Sequence, residues 1–200
     1  MNLILASKSP RRKEILENLG VKFDILTLET DENTEETCPE KYVEELAKRK
    51  GEAVRDKLIK EDALCKSTVI LACDTVVVSP DGEIMGKPRD RADAHRMLSA
   101  FSGKAHRVIS GIALLSHDVC VTASETTLVF FDTVSESEIN TYISTPEPYD
   151  KAGAYAIQGY ASLWIDKIDG DYFNVVGLPV KRVSDTLRSA FGVSLSAFVE

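Results

Sequence analysis

Apolar and polar positions follow one another along the chain in a pattern that predicts strands and helices in a mixed order. Apolar or β-branched runs at residues 3–6, 68–72 and 76–78 are typical of buried strands. Because helices and strands alternate while consecutive strands also occur, we predict an α/β protein with a mixed, twisted sheet flanked by helices. Further predicted strands cover residues 23–28, 107–115, 119–131 and 161–168, and predicted helices cover residues 10–19, 40–59, 91–100, 135–142 and 179–191.

Length, charge and cysteine spacing limit the number of domains, the partners and the cellular compartment that we expect for this protein. The 200 residues, 44% hydrophobic and 28% charged, fit one domain over residues 1–200 of a soluble globular protein. The net charge of −8 argues against a nucleic acid polymer or a membrane surface as partner, which favours a small nucleotide held by a local cluster. With no signal peptide and no apolar span visible, we expect a cytoplasmic protein. Its four widely spaced cysteines are expected to be reduced, with no zinc site.

The segment that runs from Ser7 to Arg12 places cations where a helix normally avoids them. Ser9 suits the N-cap of the first predicted helix, and a proline follows it. Arg11, Arg12 and Lys13 then crowd the positive end of the helix dipole, each at a cost of a few tenths to about 1 kcal/mol. An anion bound among them would remove that cost, so the segment predicts a polyphosphate cradle. The alternative is a solvated basic turn.

Three other positions are candidates for chemistry. Asp74 interrupts an apolar strand, and a buried carboxylate needs a cation, a metal or water, unless it caps a turn. Lys87 stands in a loop between glycine and proline, which alone is a weak signal. Gln158 follows a run of small residues and could form hydrogen bonds with the edge of a base, or it could satisfy backbone groups of a packed loop.

From the residue pattern alone, two other polar features are expected to have no catalytic role. The acidic residues 29–36 are expected to form a solvated loop, and His106 is expected to be structural.

Five short motifs occur in a fixed order along the chain. They are Ser7-x-Ser9-Pro-Arg-Arg12, Asp74-Thr75, Gly86-Lys87-Pro88, Asp150-Lys-Ala-Gly-Ala-Tyr155 with Ile157-Gln158-Gly159, and Val176-Gly-Leu-Pro179. Over nearly the entire chain this series resembles the Maf family, the septum-formation-inhibitor-like nucleoside triphosphate pyrophosphatases. Residues 150–159 look like the branch that acts on dTTP and UTP, since the branch that acts on 7-methyl-GTP differs there.

The resemblance implies a fold, a reaction and a cofactor. The fold is a mixed α/β sheet with two lobes around a deep nucleotide-binding cleft, similar to inosine triphosphate pyrophosphatases and often dimeric. The reaction is hydrolysis of dTTP, UTP or modified pyrimidine nucleotides to the monophosphate and pyrophosphate, a house-cleaning role that uses Mg²⁺ or Mn²⁺. Asp74 matches the proton acceptor, and Glu32 matches a carboxylate near the metal and the attacking water. Asp74 and Glu32 are thus the implied metal ligands.

The resemblance also implies how substrate is bound. Lys50 and Lys87 match lysines that face the phosphates, and we count Lys87 among the catalytic residues. The other implied substrate-binding residues are Ser7, Ser9, Arg11 and Arg12 around the triphosphate, with Thr75 and Gln158 on the base, where Arg12 also contributes to base choice.

Three residues depart from the family pattern. Cys73 stands where the family has alanine, Ala156 where it has glycine and Ser110 where it has threonine, and these changes bear on fine specificity.

Three alternative functions stay open. One is a pyrophosphatase for non-canonical purine nucleotides, against which the Gln158 motif argues. Another is a nucleotide-binding regulator of cell division without strong catalysis, although such a binder would not need two carboxylates facing a polyanion. The third is a purely structural α/β protein.

Overall fold

The computed structural model describes residues 1–199, and the chain forms two compact units. The first unit comprises Met1–Asp74, Ser110–Glu125 and the chain from Gly177 onward, and the second comprises Thr75–Ile109 and Thr126–Val176. Each unit is therefore built from segments that are distant in sequence.

The elements alternate between helix and strand over most of the chain. The strands are β1 (Asn2–Leu5), β2 (Asp24–Ile25), β3 (Thr68–Val78), β4 (Ile84–Met85), β5 (Ala105–Leu115), β6 (Cys120–Phe131) and β7 (Ile165–Asp169). The helices are α1 (Pro10–Asn18), α2 (Pro39–Lys60), α3 (Arg91–Phe101), α4 (Glu136–Tyr142), α5 (Tyr172–Val176) and α6 (Val180–Phe191). Short 3-10 turns cover Glu147–Asp150, Ala152–Ala154, Tyr160–Trp164 and Leu195–Phe198.

The seven-stranded sheet contains both parallel and antiparallel pairs. Its order is β2-β1-β3-β5-β6-β7, and β4 pairs with β3. β1 is parallel to both β2 and β3, with Leu5 opposite Leu71, whereas β4 is antiparallel to β3 and β7 to β6. The expectation of a mixed α/β sheet accompanied by helices is thereby confirmed.

In the first unit, α2 packs very closely against strands of the sheet. A Cβ atom added at Gly111 of β5 would lie 2.3 Å from the carbonyl carbon of Val43 in α2. A Cβ atom at Gly51 of α2 would lie 2.2 Å from Leu115 Cδ1 of β5. Glycine at both positions lets helix and strand approach more closely than larger residues would allow. The core cluster here is Ala6, Ala47, Val54, Leu58, Ile70, Ala72, Ala113 and Leu115.

The second unit is organised around buried aromatic rings. His106 stacks on Phe101 with ring centroids 4.2 Å apart, and its Nε2 lies 2.7 Å from the hydroxyl of Tyr155. Burial lowers the pKa of His106 to about 3, so its ring is neutral near pH 7. This arrangement agrees with the interpretation of His106 as a structural residue.

Two predicted strands are shorter in the structure than the sequence pattern indicated. Of residues 23–28, only Asp24–Ile25 pair as a strand, because β1 ends at Leu5 and offers few partners. Of residues 161–168, the first part forms a 3-10 turn over Tyr160–Trp164, and β7 begins at Ile165. The short elements β4 and α5 were not predicted. Within residues 1–199, no helix combines the length and the apolar character that a bilayer crossing requires.

Candidate active site

In the first unit, Lys50 joins the two predicted carboxylates. Its Nζ atom lies 2.6 Å from Asp74 Oδ1 and 2.7 Å from Glu32 Oε1. The side chain of Asp74 is 14% exposed and that of Lys50 is 20% exposed, whereas that of Glu32 is 62% exposed. Three predicted site residues from helix α2, strand β3 and the loop before α2 are thus brought together.

The two neighbouring carboxylates act on the charge of Lys50. Burial alone would lower the pKa of Lys50, but attraction to Asp74 and Glu32 outweighs it and raises that pKa. Lys50 is therefore a cation throughout the neutral range.

Tyr42 belongs to the same cluster and was missed by sequence reasoning. Burial, followed by the negative charges of Asp74 and Glu32, raises the pKa of its hydroxyl. Tyr42 precedes Lys50 by about two turns of α2, which places both side chains toward one side of the helix. That spacing is the signal that could have identified it.

The donor set of this cluster fits a hard divalent cation. Asp74 and Glu32 converge on one position, the Lys50 ammonium, so their oxygen atoms face a common point. Mg²⁺ typically uses one or two carboxylates, together with waters and substrate phosphates. Among residues 1–199, no group of three or more His, Cys, Asp or Glu side chains is arranged to hold a metal without such help. These two carboxylates are therefore the ligands that this chain itself would supply.

Arg12 makes hydrogen bonds to three separate segments of the first unit. Its Nη1 atom donates to Ser7 Oγ at 3.0 Å and to the carbonyl oxygen of Cys73 at 2.7 Å. Its Nε atom donates to the carbonyl oxygen of Gly177 at 2.8 Å. The guanidinium thus fixes the backbone immediately before Asp74, a role that the sequence pattern did not indicate.

The turn before α1 differs in one detail from the expectation. Ser9 occupies the N-cap position, but its side chain makes no capping hydrogen bond. Instead, Ser7 Oγ accepts a hydrogen bond from the backbone amide of Ser9 at 3.2 Å. The first turn of α1 contains no acidic residue, and the half-buried Arg11 lies within it.

Three predicted site residues lie in the second unit. Thr75 is half-buried in β3, and Lys87 and Gln158 are exposed in loops. The turn at Gly153 touches the Lys87 loop, because its backbone amide donates to the carbonyl oxygen of Gly86 at 3.0 Å. Gly153 has a φ of +70°, and a Cβ atom there would lie 2.8 Å from Val77 Cγ2 of β3, so glycine is needed for both reasons.

Glu147 supports the segment that carries Gln158, and sequence reasoning missed it. Its Oε1 atom accepts hydrogen bonds from the Tyr142 hydroxyl at 2.9 Å and from the backbone amide of Tyr160 at 3.1 Å. A Cβ atom at Gly159 would lie 1.8 Å from the same oxygen. The carboxylate therefore packs directly against the residue that follows Gln158.

The departures from the family pattern occupy different environments. Cys73 and Ser110 are fully buried, and Cys73 Sγ lies 3.4 Å from the carbonyl oxygen of Gly177. This agrees with the interpretation of Cys73 as a small buried hydrophobic residue. Ala156 is half-buried and lies two residues before Gln158.

Comparison with known proteins gives one family. Residues 2–190 match the family described as Maf-like protein. A Caldanaerobacter subterraneus protein named dTTP/UTP pyrophosphatase is 46% identical over 198 residues, 96% of this chain and 91% of that protein. A Clostridioides difficile protein with the same name is 46% identical over 198 residues, 98% of each chain.

A more distant likeness is found among solved structures. The Staphylococcus aureus Ham1 protein superposes with a TM-score of 0.48 and 14% sequence identity, covering 66% of this chain and 72% of that one.

Proposed function

Because this chain belongs to the Maf family, we propose that it is a nucleoside triphosphate pyrophosphatase acting on dTTP and UTP. Relatives that carry this name are 44–46% identical to it over nearly their full length. The observation that best supports a catalytic role is the convergence of Asp74 and Glu32 on Lys50. A protein that only binds nucleotide would gain nothing from two carboxylates facing a polyanion.

The proposed reaction is attack of water on the α-phosphorus with pyrophosphate as the leaving group. Asp74 accepts the proton of the attacking water, and the hydrogen bond from Lys50 holds that carboxylate in place. Glu32, which shares the Lys50 ammonium with Asp74, orients the water. A divalent cation held by Asp74 and Glu32 would neutralise phosphate charge and acidify that water.

Residues around the first turn of α1 are proposed to hold the triphosphate. Ser7 and Ser9 donate hydroxyl hydrogen bonds, and Arg11 with the helix N-terminus supplies positive charge. Lys87 neutralises the departing pyrophosphate, which makes it part of the catalytic set. Arg12 acts through its bonds to the carbonyl oxygens of Cys73 and Gly177 and so holds this turn beside β3.

Base selection is assigned to Thr75 and Gln158. The amide of Gln158 offers a donor and an acceptor, which matches the edge of a pyrimidine. A base with the wrong pattern of donors and acceptors would leave a polar group buried without a partner, which costs several kcal/mol of binding.

The family resemblance also supports three proposals about the whole chain: that it acts as one domain over residues 1–200, that it forms a homodimer and that it is cytoplasmic.

The test is a panel of dTTP, UTP, ITP, 7-methyl-GTP and ATP with Mg²⁺ or Mn²⁺, in water enriched in ¹⁸O. We expect pyrophosphate release mainly from dTTP and UTP, with the label in the monophosphate because the α-phosphorus is attacked. Release mainly from ITP or 7-methyl-GTP would overturn the assignment of Gln158. Binding of nucleotide without release would instead support a regulator of cell division.

A further inference from the structure

The acidic loop before α2 is attached to that helix and is not simply a solvated loop. The hydroxyl of Thr34 donates to Glu45 Oε2 at 2.6 Å, and Thr34 is half-buried. Within the loop, Asp31 Oδ1 accepts a hydrogen bond from the backbone amide of Asn33 at 2.9 Å, and this bond closes a turn around Glu32. Glu32 therefore stands at a defined position in the loop.

Arg49 makes the central contacts of this attachment. Its Nη1 atom donates to the carbonyl oxygen of Asn33 at 2.6 Å and also to that of Asp31 at 3.3 Å. Its Nη2 atom pairs with Glu45, one turn earlier on α2. The guanidinium thus binds the backbone on both sides of Glu32.

Glu45 holds Arg49 in the required orientation. One of its carboxylate oxygens accepts a hydrogen bond from the Thr34 hydroxyl, and the other accepts one from Arg49 Nη2. The pKa of Glu45 is lowered by the Thr34 hydroxyl and then by Arg49, so the carboxylate is ionised at neutral pH. A planar guanidinium can donate to a carboxylate and a carbonyl oxygen at once, which a lysine ammonium does with less geometric control.

We propose that Arg49 is a positioning residue that fixes the Glu32 loop on α2, so that the Glu32 carboxylate meets Lys50 and Asp74. Lys50 follows Arg49 directly, so one turn of α2 holds both the backbone and the carboxylate of this loop. The role of Arg49 in catalysis rests on the proposed function, whereas its role in ordering the loop does not.

Two readouts test the proposal in the full-length protein. Arg49→Met should increase amide hydrogen exchange in residues 31–36 by about tenfold, since the loop loses its attachment. It should also lower kcat/KM for dTTP by about tenfold and raise the Mn²⁺ concentration needed for half-maximal rate. Arg49→Lys should give intermediate values, and Thr34→Val should shift both readouts in the same direction.

Double variants distinguish a positioning role from a general structural one. If Arg49 acts through Glu32, then Arg49→Met should lower kcat/KM by less than about twofold in a Glu32→Gln background. Arg55→Met is the matched control, because Arg55 lies on α2 but pairs with Glu52 and Asp56. It should leave loop exchange and kcat/KM within about twofold of the wild type.

Two outcomes would overturn the proposal. One is unchanged exchange of residues 31–36 in Arg49→Met, and the other is an undiminished loss of kcat/KM in the Glu32→Gln background. If the wild type released pyrophosphate from no nucleotide, the proposed function would fail. The exchange measurement would still decide whether Arg49 orders the loop.

Discussion

Lys50 of α2 and Asp74 of β3 form an ion pair with 2.6 Å between Nζ and Oδ1, and neither side chain is more than 20% exposed. A pair so shielded from water is costly to break, because removing one partner leaves the other charged and poorly solvated. Glu32 shares the same ammonium at 2.7 Å. The site thus carries two carboxylates and one cation, and it can accept further positive charge.

Replacing Lys50 tests whether a divalent cation and the ammonium share these carboxylates. In Lys50→Met, Asp74 and Glu32 lose their common partner, so Mn²⁺ should bind them more tightly than in the wild type. Binding to the folded state raises the melting temperature, by about 2–4 °C for each kcal/mol in a chain of this size. The rise on adding millimolar Mn²⁺ should therefore be larger for Lys50→Met.

Lys57→Met provides the control, because Lys57 pairs with Glu61 on the surface of the same helix. Its response to Mn²⁺ should equal that of the wild type. An equal rise in Lys50→Met and the wild type would contradict the assignment of these carboxylates as metal ligands.

Gly111 is required for the close packing of α2. In Gly111→Ala the added Cβ atom would lie 2.3 Å from the carbonyl carbon of Val43, and backbone cannot move aside as a side chain can. The free energy of unfolding should fall by about 3 kcal/mol or more, measured by urea denaturation. Gly86→Ala, where no atom lies within 4 Å, should change it by less than about 1 kcal/mol.

His106 should make the protein less stable in mild acid. Its pKa is about 3 in the folded state, against 6.5 as the ordinary value. Between these pH values the unfolded chain binds a proton that the folded protein does not, so stability is lost as the pH falls from 6.5 toward 3. The contribution is at most about 1.4 kcal/mol per pH unit.

Urea denaturation between pH 7.5 and pH 4.5 measures this effect. The pH dependence of the unfolding free energy should be shallower in His106→Gln than in the wild type. His117→Gln, which changes an exposed histidine, should retain the wild-type dependence. Parallel curves for the wild type and His106→Gln would show that His106 does not carry the effect.

Glu147 should matter for substrate affinity through the segment that carries Gln158. Glu147→Ala removes the acceptor of the Tyr142 hydroxyl and of the Tyr160 amide, and so loosens this segment. We expect KM for dTTP to rise about fivefold while kcat changes by less than about twofold, because the reacting groups are untouched. Glu136→Ala on α4 serves as control in the same steady-state assay, and an unchanged KM in Glu147→Ala would refute the role.

Local sequence signals predicted much of the fold, and the structure brings some of the candidate site residues together. The apolar spacing in α2 corresponds to its buried residues, and the polar residue within the apolar run of β3, Asp74, is only partly buried in a mostly buried strand. Glu32 was assigned by family resemblance, and the structure brings its carboxylate to Lys50. These features depend on neighbouring residues or on a complete motif, which is why they can be read from the chain.

Other features depend on contacts between distant residues and could not be predicted. Arg12 binds the carbonyl oxygen of Gly177, which is far away in sequence, so a basic turn alone gave no sign of that role. The 3-10 turn at Tyr160–Trp164 begins where Glu147 accepts a backbone amide, although its sequence resembles a strand. Strand β2 is likewise short because its partner strand β1 ends and offers no further residues to pair with.

The most direct test of the account compares Asp74→Asn with the wild type in dTTP hydrolysis. Asparagine keeps the shape of the side chain but cannot accept the proton, so kcat should fall by about 10²- to 10⁴-fold while the protein stays folded. Asp56→Asn, an exposed position on α2, should retain wild-type kcat. A kcat in Asp74→Asn within about threefold of the wild type would contradict the claim that Asp74 is the catalytic base.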